Sequence, residues 1–166
     1  MTSAGSRGSI DRSTARDLLT TLSQLRWSWS VEELPQVMER LDWHVVAQIE
    51  GRGAVADAPW NVGEQAIDIG LEGHRVDTVT IGLSEVLLPE TTGSRAFTQD
   101  RFVDIVAVGS HVLGPSTSRV LGEYPNVRWR GSETTITVTN LWSSVALVWA
   151  TNEAQDRWDQ SFVDER

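Results

Sequence analysis

Six stretches of this chain alternate apolar and polar residues with a period of two, and no other feature constrains its fold as strongly. Successive strand residues point to opposite faces, so this alternation marks a sheet with one covered face. The first stretch sets Trp43, Val45, Ala47 and Ile49 against His44, Val46, Gln48 and Glu50. The next two set Ile67, Ile69 and Leu71 against Ala66, Asp68 and Gly70, and Val79, Ile81 and Leu83 against Thr78, Thr80 and Gly82. Later come Val127 with Trp129, Ile136 with Val138, and Val145 with Leu147 and Trp149. Most of the connections are short, Glu72-Gly73-His74 among them, so the sheet should be largely antiparallel. A further short strand is expected near 54–58, and residues 116–126 read as a loop.

Between these stretches the apolar spacing becomes three and four. Ala15, Leu18, Leu19, Leu22 and Leu25 predict a helix over 14–25, with Thr14 and Asp17 as a capping pair. Leu34, Val37, Met38 and Leu41 predict another over 31–41. Ser30 and Glu33 fit a capping box, but Pro35 lies deep for a first turn and argues for a later start. Phe102, Ile105, Val106, Gly109, Val112 and Leu113 mark a long helix over 95–113, stopped by Gly114-Pro115. Asn152 is the expected cap of a last helix over 153–163, with Ala154, Trp158 and Phe162 on its inner side. The expected architecture is a two-layer α+β domain of order α-α-β(3–4)-α-β3-α, with helices packed on one face of a largely antiparallel sheet. Residues 1–10 are small and polar and read as a disordered tail, leaving 11–166 as a single domain.

Charge and composition narrow the function. The net charge is −9, which disfavours nucleic acid and anionic membranes as partners and favours a basic protein or a cationic ligand. The chain has no cysteine, hence no disulfide, thiolate nucleophile or cysteine-held metal. All fourteen cations are arginine, which reads chiefly as coding bias, although arginine also suits paired contacts with carboxylates. The N-terminus lacks the apolar stretch of a signal peptide, and no run is long enough for a membrane span, so a cytoplasmic location is expected.

The eight tryptophans divide by position. Trp43, Trp129 and Trp149 share the apolar parity of their strands, and Trp158 lies on the last helix's inner stripe, so all four are expected in the core. Trp27 and Trp29 lie in an extended link, Trp60 in an irregular stretch and Trp142 in a turn. One of Trp27 and Trp29 can staple onto the second helix from ahead of its cap, while the other, with Trp60 and Trp142, is a candidate for exposure, where tryptophan commonly anchors a partner.

Catalytic patterns are weak. Gly51-Arg52-Gly53-Ala54-Val55-Ala56 has the letters of a dinucleotide fingerprint but no helix to receive a pyrophosphate, so it reads as a glycine turn. Trp129-Arg130-Gly131 spells the hairpin motif of small helical secretion substrates, but strands flank it here. His44, His74 and His111 have no ligand spacing, so neither a metal nor a cofactor is expected, and no catalytic residue is assigned. The polar parity of the sheet carries Asp68, Thr78, Thr80, Arg128, Arg130, Thr135, Thr137 and Thr139. Threonine there fits a solvated strand face, while two arginines among hydroxyls also suit a recognition surface that clamps a carboxylate. The binding candidates are therefore Trp27, Trp29, Trp60, Arg128 and Arg130.

The stretch LRWSWSVEELPQVMERLDWHVV and the closing segment EYPNVRWRGSETTITVTNLWSSVALVWATNEAQDRWD resemble an uncharacterised, tryptophan-rich actinobacterial domain family of unknown function, over roughly residues 14 to 160. Small proteins of this kind look like immunity partners of polymorphic or type VII-secreted toxins. The resemblance implies a non-enzymatic binding protein that inhibits a cognate toxin. The alternatives are a chaperone or adaptor for a secreted effector, and a small-molecule-binding domain using the Arg128/Arg130 face.

Overall fold

The computed structural model describes residues 8–164, with side chains described as far as Ser161. Residues 1–7 and the side chain of Phe162 lie outside what is described. The elements are α1 (Arg12–Gln24), α2 (Leu34–Leu41), β1 (His44–Ile49), β2 (Gly53–Asp57), β3 (Ile67–Glu72), β4 (Arg75–Gly82), α3 (Thr92–Leu113), β5 (Ser118–Val120), β6 (Asn126–Arg130), β7 (Thr134–Asn140), β8 (Val145–Thr151) and α4 (Asn152–Asp164). The fold is α+β, as its alternating pattern requires. The strands form one antiparallel eight-stranded sheet in the order β1-β2-β3-β4-β8-β7-β6-β5. Two four-stranded meanders thus meet where β4 pairs with β8. The expected extra strand near 54–58 is β2, and β5 lies in the stretch that had read as a loop.

The core follows from the register. Ala54, Ile69, Val79, Trp149, Ile136 and Trp129 form one row across six strands, and Ala56, Ile67, Ile81, Leu147, Val138 and Val127 form the next. Every one of these side chains is buried. α1 lays Ala15, Leu18, Leu19 and Leu22 over this face, and α3 adds Phe102, Ile105 and Val106. Gly109 lets α3 come close: a Cβ there would lie 2.7 Å from a ring carbon of Trp129. The α2 side chains Leu34, Val37, Met38 and Leu41 are also buried.

Local signals set the helix ends, with some corrections. The cap of α1 is Asp11, whose carboxylate accepts from the Thr14 N–H at 2.7 Å, and not the Thr14–Asp17 pair. That hydrogen bond holds the Asp11 carboxyl below its ordinary pKa. Just before it, the Ile10 N–H donates to Leu83 O at 2.9 Å and the Glu85 N–H to Gly8 O at 2.8 Å. Gly8 to Ile10 therefore belong to the domain, and the tail expected over 1–10 was drawn too long. At α2 the Ser30 hydroxyl accepts from the Glu33 N–H at 3.3 Å, and the helix begins at Leu34 with Pro35 in its first turn. α3 begins earlier than expected, under a reciprocal capping box of Thr91 and Ser94.

While α1, α2 and α3 share the core face, α4 crosses the opposite one. Thr135 Oγ1 donates to Asn152 Oδ1 at 2.6 Å, and the Ala154 N–H donates to Thr151 Oγ1 at 3.1 Å. Arg128 and Arg130, both on the polar parity, hold Asp159 and Asp156 of α4. This placement corrects the reading of Trp158 as a core residue: its side chain is 48% exposed, because its helix packs on a face with no apolar layer to receive it. Trp129 and Trp149 are buried, as their strand parity requires, and Trp43, which precedes β1, is buried as well.

Candidate functional site

A groove of about 880 Å³ lies between α2 and the β1–β2 hairpin. It exists because the sheet is wider than the helical layer. All six residues of β1 are exposed, including Val46 and Ile49, although four of the six are apolar. A one-residue bulge contributes. Val45 opposes Ala56 but Ala47 opposes Val55, so Val46 is the extra residue. A one-residue slip exchanges faces, so Gln48 rather than Ala47 stands opposite the buried Ala54. The regular alternation expected through Ala47 and Ile49 is thus broken in mid-strand.

The groove floor is apolar: Leu34 and Met38 from α2, Trp43, Ala54 and Leu71. Asp42, in the left-handed conformation at φ 58°, ends α2 and turns the chain so that Trp43 tucks beneath it. Glu39, Asp42 and Glu50 stand on the exposed rim, and the lining contains no arginine. His44 Nε2 lies 3.2 Å from Asp42 Oδ1. Among the described residues β1 is an edge strand that pairs with β2 alone, so its other side offers backbone groups to an added strand. An apolar floor, an acidic rim and a free strand edge together suit an extended segment with apolar and basic side chains.

The residues singled out from sequence lie elsewhere, and the structure uses them internally. Trp29 is the packed member of the Trp27/Trp29 pair, only 5% exposed. Its ring stacks on Trp27 at 4.8 Å and meets Trp149 at 4.6 Å. Trp27 is half-buried with its Nε1 enclosed, and the pair packs against Trp149 of the core. Trp60 is also half-buried and donates its Nε1–H to Gly82 O at 2.9 Å. Trp142, at φ 66°, donates to Glu123 O at 2.7 Å and lies under the Arg95 guanidinium. Arg128 and Arg130 do clamp carboxylates, as their setting suggested, but those carboxylates belong to the chain's own α4. Arg128 takes Asp159 at 2.9 and 3.2 Å, and Arg130 takes Asp156 at 2.7 and 3.1 Å. Hydrogen bonds from Arg130 hold the Asp156 carboxyl below its ordinary pKa. For Asp159, burial pushes upward, but hydrogen bonds from Arg128 and Gln155 outweigh it and the net displacement is also downward.

Sequence reading missed the groove because its alternation test assumed an unbroken strand. The one signal available was that Val45 and Val46 are adjacent apolar residues, a mark of a bulge or a two-sided strand. The glycine-rich stretch is the β1–β2 turn: Gly51 has φ 77°, and a Cβ on Gly53 would fall 1.8 Å from Ile69 O. His44, His74 and His111 sit on different elements, and no group of three or more His, Cys, Asp or Glu residues is placed to hold a metal among the described residues. No helix among them is long and apolar enough to cross a membrane.

Fold and groove together define an α+β domain with an open, acid-rimmed sheet edge. The chain belongs to DUF6301, a family of unknown function, whose model matches residues 13–151. The match stops at Thr151, one residue before α4. No curated protein and no solved structure matches the chain.

Proposed function

We propose that this protein is a non-catalytic protein-binding module that takes its partner at the α2–β1 groove. In this reading it is a cytoplasmic immunity protein that binds and inhibits a cognate toxin. The observation that carries the binding role is the β1 strand, exposed at all six residues, beside an apolar groove with a carboxylate rim. The outer edge of β1 offers backbone donors and acceptors to an added strand, which supports a binding role. The toxin assignment draws further support from the net charge of −9, which speeds association with a basic protein, and from the resemblance to actinobacterial immunity partners. A chaperone or adaptor for a secreted effector would use the same groove, but would leave that effector's activity intact.

The test is capture from host lysate by wild type and by a Val46→Arg/Ile49→Glu variant, with matched thermal unfolding. A stoichiometric partner held by the wild type and lost by the variant supports the reading. Equal retention by both would remove the groove from it. An activity assay of that partner, with and without this protein, then separates inhibitor from chaperone.

A further inference from the structure

The α2–β1 groove carries its carboxylates at the two ends of β1. Glu39 and Asp42, three residues apart at the close of α2, share one side of that helix and stand just ahead of the strand. Glu50 follows Ile49, the last residue of β1. All three are exposed. At about 3.3 Å per residue, the strand sets the two charged ends roughly 20 Å apart. Between them the lining is mainly apolar, with Val45 on β1, Leu34 and Met38 on α2, and Leu71 on β3. Arg40 and Arg52, the cations nearest in sequence, are not among the lining residues, so the carboxylates keep their charge for a partner. A strand added to the outer edge of β1 has the same rise. A residue and the one six places later therefore reach both ends of the groove. Their even spacing puts both on one face of the added strand, together with the third and fifth residues between them.

We propose that the groove takes an extended segment of pattern basic-x-apolar-x-apolar-x-basic. Its backbone pairs with the outer edge of β1, and its two apolar side chains lie on the groove floor. Its two cations meet Glu39 and Asp42 at one end and Glu50 at the other. This inference rests on the binding role proposed for the groove and narrows the partner to a basic protein with such a strand exposed. A second copy of this chain is a poor occupant, because two bodies of charge −9 repel each other.

The capped heptapeptide Lys-Thr-Val-Thr-Val-Thr-Lys has this pattern. It is titrated at low salt into the full-length isotope-labelled protein, and the backbone amides are followed by NMR. Saturable shifts concentrated in β1 and α2 are expected, and none when glutamate replaces both lysines. Moving the second lysine one place along turns it to the opposite face. Binding should then weaken by up to about fivefold, the scale of one exposed ion pair. Glu50→Gln and Asp42→Asn should each weaken the original peptide by a similar factor; asparagine tolerates the left-handed backbone at φ 58°. One of the two variants should leave the binding of the shifted peptide unchanged, and which one does so gives the direction of the added strand. The proposal is overturned if the original peptide gives no saturable shift in β1, if the glutamate or shifted peptide binds as tightly, or if both variants bind the original like the wild type. The binding role of the groove is decided separately, by whether the Val46→Arg/Ile49→Glu variant loses a captured partner.

Discussion

Trp149 is fully buried at the meeting point of three indoles, 4.6 Å from Trp29 and 6.0 Å from Trp27. Aromatic contacts of this kind add to the area they bury. Trp29 reaches its place only by adopting φ 60°, an uncommon backbone state for a bulky residue. The surrounding packing must therefore repay that strain. Trp149→Ala should cost about 3–5 kcal/mol in urea unfolding, as expected for loss of a buried aromatic. Trp149→Phe should cost less, because the Trp149 Nε1–H has no partner to lose. If both variants unfolded like the wild type, the three rings would not be part of the cooperative core. The same residues show the reach of local reading. Strand parity placed Trp129 and Trp149 correctly, since a strand's period determines its faces, whereas Trp43 is buried just ahead of β1, where the chain turns at Asp42. It could not place Trp27 and Trp29, because a link between helices has no period and its direction depends on what the sheet offers.

Among the elements, α4 differs from the other helices in what holds it. Its contacts with the sheet are chiefly ion pairs and hydrogen bonds: Asp156 to Arg130, Asp159 to Arg128, Asn152 to Thr135, and Arg157 to Glu72 and Asp77. The sign of its pH dependence follows. Asp156 and Asp159 both have folded pKa values below their ordinary ones. Their contribution is therefore present above the unfolded carboxylate value of about 3.9 and is lost as pH falls through the lower folded values. Below about pH 4 the α4 amides should exchange with solvent before those of β7 and β8, while at neutral pH α4 stays docked. Hydrogen exchange across that pH range checks this, and Asp156→Asn with Asp159→Asn should bring the early exchange to neutral pH. Uniform exchange of α4 and the strands throughout would show that packing, and not charge, seats the helix. The sequence showed that α4 is a helix with an apolar stripe, but a stripe does not say which face of a sheet will receive it.

At the scale of the whole molecule, two meanders joined through β4 and β8 make a sheet wider than its three covering helices, and the uncovered width is the groove. The carboxylate rim and the overall charge of −9 would act together on a basic partner of the kind proposed. Association with a basic partner should slow by about tenfold or more between low and high salt, while dissociation changes little. Stopped-flow or surface-capture kinetics over a salt series measure this, and a salt-independent association rate would leave the rim without a steering role.

The sequence alone determined the class of the fold, the antiparallel sheet, its helices to within a few residues and the buried parity of β3, β4, β6, β7 and β8. These properties are local: each follows from a period of 2 or 3.6, a cap or a turn that neighbouring residues dictate. It also carried the charge that any partner would meet. Only the tertiary structure decided that β1 lies beyond the helical layer, that a bulge at Val46 exchanges its faces, and that Arg128 and Arg130 are occupied by α4. Each of these depends on which elements come to lie side by side, and that is settled by how the whole set of apolar faces can be covered at once, which no single segment encodes.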